Sequence, residues 1–131
     1  MNSKIIHECT IGALEGRVSF PETVKKLIGI DIERYYADLV RLEKVFYAKN
    51  GETYIERLSF SDCPCLTEQF DVETINAAIR SIQQKQIDYS EFLRRIIAGG
   101  CVSYVVWIDG QFASYYGRKG ECHIEKFPSK E

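Results

Sequence analysis

Three groups of residues in this chain have types and spacing suited to chemistry or binding. The first is Tyr116, His123 and Glu125. An imidazole between a phenol and a carboxylate can act as a general base near neutral pH. His123 with Glu125, assisted by Tyr116, is therefore the candidate pair for a small hydrolase or isomerase. The plainer alternative is a Tyr–His pair across two strands of a solvated sheet. The second group is Cys63-Pro64-Cys65. Two thiolates so spaced can share a soft metal or take part in redox chemistry. A structural zinc would need two further ligands, and only His7, Cys9, Cys122 and His123 remain to supply them. No C-x-x-C pair is present, so no metal site is assigned. The third group is aromatic: Trp107, Phe112 and Tyr116. No glycine-rich phosphate loop, serine elbow or HExxH pattern occurs, and no cofactor is expected.

These residues lie in a chain that repeats itself. Residues 46–57 read FYAKNGETYIER and residues 115–126 read YYGRKGECHIEK. Tyr35 and Tyr104 are 69 apart (104 − 35), as are Glu22 and Glu91, Tyr47 and Tyr116, Gly51 and Gly120, and Glu56 and Glu125. A constant shift over the whole unit signals internal duplication. The copies span about residues 3–58 and 71–127 of a single domain, 1–131, joined by the connector 59–70.

Each copy has the same punctuation. Ser19 and Asp88 are helix N-cap candidates, with Glu22 and Glu91 three residues on, as a capping box requires. Apolar residues recur at helical spacing in Val24-Leu27-Ile28 and in Leu93-Ile96-Ile97. An earlier helix is marked by Val72, Ile75, Ile79 and Ile82, and less clearly by Ile6, Thr10 and Ala13. The period then changes to two, giving three strands per copy. The expected fold class is α+β: a duplicated ααβββ unit with pseudo-two-fold symmetry, its antiparallel sheet packed against helices.

Two-residue turns at Asp109-Gly110, Asn50-Gly51 and Lys119-Gly120 would fix the register. They would pair Tyr104 with Tyr115, Val106 with Ala113 and Tyr115 with Ile124, on the face that receives the helices. Tyr35, Ala37, Leu39, Phe46 and Ile55 would join them there, and Cys122 would point to the core. The opposite face would carry Trp107, Phe112, Phe127, Val105, Tyr116, His123 and Glu125 in copy two. In copy one it would carry Arg34, Tyr36, Asp38, Tyr47, Tyr54 and Glu56. Lys49 would face Glu52, and Arg118 would face Glu121. An apolar cluster on a sheet face marks a ligand groove or interface where it is exposed; otherwise the halves or subunits cover it.

Composition narrows the partners. Seventeen basic and nineteen acidic residues give a net charge of −2, without the basic footprint of a nucleic-acid binder. No polybasic or long apolar segment directs the chain to a membrane. The five cysteines, an odd number, suit free thiols in a reducing cytoplasm.

The stretches FPETVKKLIGIDIERYYADLVRLEKVFYAKNGETYIE and FDVETINAAIRSIQQKQIDYSEFLRRIIAGGCVSYVVWIDGQFASYYGRKGE resemble the YbcV-like family of bacterial and prophage proteins. That family is a domain of unknown function, often labelled a phage envelope protein. The resemblance covers almost the whole chain. It implies a small α+β domain and a phage connection for some members, and carries no catalytic motif.

The expected function is non-enzymatic binding of a small apolar or aromatic molecule, or of a peptide. Trp107, Phe112, Tyr116 and His123 would form the site, with Glu125 as an orienting acceptor. The alternatives are the hydrolase or isomerase and a phage–host interaction or assembly protein. Free strand edges also allow a homodimer.

Overall fold

The structure, a computed structural model, describes residues 1–128. The elements run α1 (Ser3–Leu14), α2 (Phe20–Gly29), β1 (Ile32–Asp38), β2 (Glu43–Ala48), β3 (Thr53–Arg57), α3 (Val72–Gln83), α4 (Tyr89–Ala98), β4 (Cys101–Trp107), β5 (Phe112–Gly117) and β6 (Cys122–Lys126). This is ααβββ written twice. The caps form where the sequence placed them. Ser19 accepts from the Glu22 amide while Glu22 reaches back to the Ser19 amide, and Asp88 accepts from the Glu91 amide. Each side-chain oxygen satisfies an amide that has no partner within its helix.

The six strands form one antiparallel sheet in the order β3-β2-β1-β4-β5-β6. The two copies thus join through β1 and β4. Tyr36 pairs with Val105 across that join, and the two are related by the repeat itself (105 − 36 = 69), so a local two-fold axis passes between them. Left-handed backbone recurs at the same offset: Asp31 with Gly100, Leu42 with Gln111, and Gly51 with Gly120.

The inner hairpins keep the expected register, with Tyr104 opposite Tyr115 and Val106 opposite Ala113. The outer hairpins do not. Tyr115 pairs with His123 rather than Ile124, and Phe46 pairs with Tyr54. The cause is loop length. The amides of Ala48 and Gly117 donate to the carbonyls of Glu52 and Glu121, leaving three residues in each loop. Gly51 and Gly120 take the third position at φ of 93° and 83°, the left-handed conformation that closes a three-residue hairpin. A one-residue slip turns every side chain of β3 and β6 to the other face. Tyr54, Glu56, His123 and Glu125 therefore face the helices, whereas Ile55, Cys122 and Ile124 do not. Ile55 and Ile124 are 57% and 58% exposed. Phe127 also lies on the helix side, 5.3 Å from Phe20 in an edge-to-face contact. Lys49 pairs with Asp109 at 3.9 Å, and Glu52 takes the N-terminal amine.

The core lies between the helices and one face of the sheet, around Leu27, Phe46, Ile75, Leu93, Ile96 and Val106.

Candidate functional site

The helix-facing side of the sheet carries two cross-strand rows. One runs Tyr54, Phe46, Tyr35, Val106, Ala113, Glu125; the other runs Glu56, Lys44, Ala37, Tyr104, Tyr115, His123. The two-fold axis exchanges the rows end for end. A lysine in such a place is unusual, because moving an ammonium out of water is costly unless a partner compensates. Lys44 is only 3% exposed. Among the described residues no carboxylate forms an ion pair with it. Its Nζ lies over three rings instead, 4.4 Å from the centre of Tyr35, 4.6 Å from Tyr89 and 5.4 Å from Phe46. Each ring face attracts a cation by roughly 0.5–2 kcal/mol, which leaves most of the desolvation uncompensated. Burial accordingly pulls the Lys44 pKa down to about 7, against weaker upward pulls from Cys9 and Glu56.

Lys44 and Tyr35 form part of the floor of a cavity of about 560 Å³. Tyr104, Tyr115 and Val106 continue that floor from copy two. Phe20 and Thr23 of α2, Ile79 and Ile82 of α3, and Tyr89 and Phe92 of α4 make the walls. The mouth lies among exposed residues of the α1–α2 and α3–α4 loops, including Arg17 and Gln86. The Tyr89 and Tyr104 hydroxyls hydrogen-bond to each other. Burial raises the phenol pKa values of Tyr35, Tyr89, Tyr104 and Tyr115 far enough that all four stay protonated at neutral pH. The Thr23 hydroxyl is also buried and has no hydrogen-bond partner among the described residues. One buried cation without an ion pair and one buried hydroxyl without a hydrogen-bond partner therefore border a cavity with an aromatic floor and walls.

The residues singled out by sequence do not converge. Trp107, Phe112 and Tyr116 lie on the open face of the sheet. The Trp107 indole N–H and the Tyr116 hydroxyl both donate to Ser114 Oγ at 3.1 Å, and Trp107 stacks on Phe112. His123 and Glu125 are on the opposite face, with His123 Nε2 and Glu125 Oε1 3.5 Å apart. Of the five, only Glu125 borders the main cavity. Phe112 instead lines a separate depression of about 440 Å³ at the β5–β6 end, with Ile124 and Phe127. Glu56, the repeat mate of Glu125, accepts from or shares a proton with His7 Nδ1 at 2.5 Å. Cys63 and Cys65 are exposed free thiols in the connector. Among the described residues, no three His, Cys, Asp or Glu side chains gather into a metal cluster.

Lys44 is not among the site residues expected from sequence. Phe46 and Ala48 belong to the core, so a period of two puts Lys44 on the same side. The strand Glu43–Ala48 carried that signal in plain alternation.

The sequence profile of a family described as "Protein of unknown function (DUF1398)" matches residues 11–126. No curated protein matches the chain. The family description assigns no activity, so the phage connection implied by the resemblance finds no support in it. No helix among the described residues is long and apolar enough to cross a membrane.

Proposed function

Since the chain belongs to the DUF1398 family, whose function is not assigned, its role has to be read from the site, and we propose that it binds a small apolar or aromatic molecule in the helix-side cavity. The ligand carries one anionic or hydrogen-bond-accepting end, which meets Lys44 and Thr23. The observation that carries this reading is the unpaired Lys44 ammonium at the floor of an aromatic cavity. Ligand pockets commonly enclose roughly 300–1,000 Å³ with a few polar groups on apolar walls, and this cavity fits that description. A buried cation without a partner destabilises the empty protein, so a ligand that supplies the partner binds with that free energy in its favour. The binding module expected from the sequence is kept; its place moves from the Trp107 face to the other side of the sheet. The hydrolase or isomerase reading has less behind it, because Glu125 reaches the cavity and His123 does not.

Two related dyes test this. Anilinonaphthalene sulfonate carries an aromatic body and an anion; N-phenyl-1-naphthylamine has the same body without the charge. Both should bind the native protein at one site, the sulfonate more tightly at pH 6 than at pH 9 as Lys44 loses its proton. Lys44→Met should weaken the sulfonate by about ten-fold or more, the loss of one charge-assisted contact, and leave the neutral dye bound. Failure of both dyes to bind, or an unchanged sulfonate affinity in the variant, defeats the reading.

A further inference from the structure

A buried amine that shares an apolar cavity with its ligand can do more than attract a charge. We infer that Lys44 is a nucleophile that condenses with aldehydes or ketones entering the cavity, forming an imine. This inference rests on the cavity being a ligand site and adds the class of ligand, a carbonyl compound with an aromatic or apolar body.

Three observations support it. First, the lysine has no competing partner. Among the described residues neither a hydrogen bond nor an ion pair occupies its ammonium, whereas a structural lysine buried this deeply would be expected to have a carboxylate on it. Second, the rings of Tyr35, Tyr89 and Phe46 surround Nζ. They limit the approach of water and provide flat surfaces for a planar carbonyl compound. Third, desolvation leaves a large fraction of the amine unprotonated at neutral pH. This is the device by which lysines in apolar sites become carbonyl nucleophiles.

The step balances without any further reagent. The neutral amine attacks the carbonyl carbon, a C–N bond forms, and the carbonyl oxygen becomes a hydroxyl by taking a proton that originated on nitrogen. The carbinolamine then loses that oxygen as water, with the second N–H proton, as the C=N bond forms. One water leaves; nothing is oxidised or reduced. The four phenols around the cavity stay protonated, and burial raises their pKa values too far for ready proton exchange at neutral pH, so the proton that dehydration requires is the one nitrogen releases. The titratable groups facing Lys44 are Cys9 from α1, Tyr35 from β1, Glu56 from β3 and Tyr89 from α4. Glu56 lies opposite Lys44 across the β2–β3 ladder. Its Oε1 holds His7 and its Oε2 has no partner among the described residues, but neither oxygen forms an ion pair with the lysine, which leaves Lys44 as the free nucleophile of the group.

The test uses the full chain, 2-naphthaldehyde as the probe and cyanoborohydride to trap any imine, with peptide mass spectrometry to locate the label. In parallel, displacement of N-phenyl-1-naphthylamine by the aldehyde reports binding alone. At neutral pH the label on the Lys44 peptide should exceed that on any exposed lysine by about ten-fold or more, since desolvation frees the Lys44 amine to attack. Lys44→Met should abolish that selectivity while the aldehyde still displaces the dye. If the aldehyde displaces the dye but labels the lysines indiscriminately, imine chemistry is refuted and the binding site stands. If it neither displaces nor labels selectively, both readings fall.

Discussion

Replacing Lys44 by Met should make this protein more stable, and by an amount that depends on pH. Methionine has nearly the length of lysine and needs no partner, so it fills the same volume among Tyr35, Phe46 and Tyr89 without desolvating a charge. The native lysine has a folded pKa of about 7 against an ordinary 10.5. Between those values the unfolded chain binds the proton and the folded chain does not, so wild-type stability rises with pH across this window. Below about pH 7 both states are protonated and the handicap is complete. Above 10.5 both are neutral and it is gone. Each pH unit between the two values is worth about 1.4 kcal/mol, so the handicap is about 5 kcal/mol at pH 6 and falls to about 1 kcal/mol by pH 9.5. The assay is urea unfolding of wild type and variant at both values, followed by far-ultraviolet circular dichroism. With an m-value of about 1.5 kcal/mol per molar urea, the variant midpoint should lie about 3 M higher at pH 6 and about 1 M higher at pH 9.5. Ionisation of the tyrosines at high pH affects both proteins alike and cancels in the difference. A variant no more stable than wild type at pH 6, or one whose advantage is the same at both pH values, would refute the claim that Lys44 is an uncompensated buried cation.

Two other substitutions probe the surroundings of the site and the join to the connector. Thr23→Val removes a buried hydroxyl that has no partner among the described residues, so urea unfolding should show a gain of about 1 kcal/mol, while sulfonate-dye affinity falls if the hydroxyl serves the ligand. Gly100→Ala should destabilise by about 3 kcal/mol or more, because a Cβ there would stand 2.0 Å from the Gln69 carbonyl oxygen with φ at +91°. Its repeat mate Asp31 carries a side chain at φ 62°, so a loss below about 1 kcal/mol would show that the approach to Gln69 matters little.

The fold was largely legible because its signals are local and occur twice. The capping box at Ser19, the apolar spacing of Ile75 and Ile79, and the inner pairing of Tyr104 with Tyr115 all read directly from residue types. The outer register did not, for a specific reason. Asn-Gly and Lys-Gly suit a two-residue turn, but they equally suit a three-residue loop with glycine last, and the two choices differ by one residue. That single residue moved His123 and Glu125 to the helix side and dispersed the expected aromatic site. Lys44 was legible in principle from the alternation of Glu43–Ala48. Most lysines lie in solvent, so residue type points away from the core where alternation points toward it.

The duplication itself argues that the cavity is the specialised part. Residues that maintain the shared architecture are alike in both copies: Tyr35 with Tyr104, Glu56 with Glu125, Gly51 with Gly120, and the capping residues Glu22 with Glu91. Around the cavity the copies part. Lys44 answers to Ala113, Thr23 to Phe92, and Phe20 to Tyr89 (each second number is the first plus 69). A symmetric arrangement with lysine at both positions would bury two unpaired cations under the same helices, and alanine at both would leave no charge at all. One lysine in one copy places a single cation beside the two-fold axis, where Tyr35 and Tyr104 from the two halves meet edge to face at 6.4 Å. The symmetric scaffold thus supplies the aromatic floor, and the broken symmetry supplies the buried amine. Stability alone gives no reason to keep Lys44, since an apolar side chain of the same size would fit its place better. A role in binding or reacting with a ligand does.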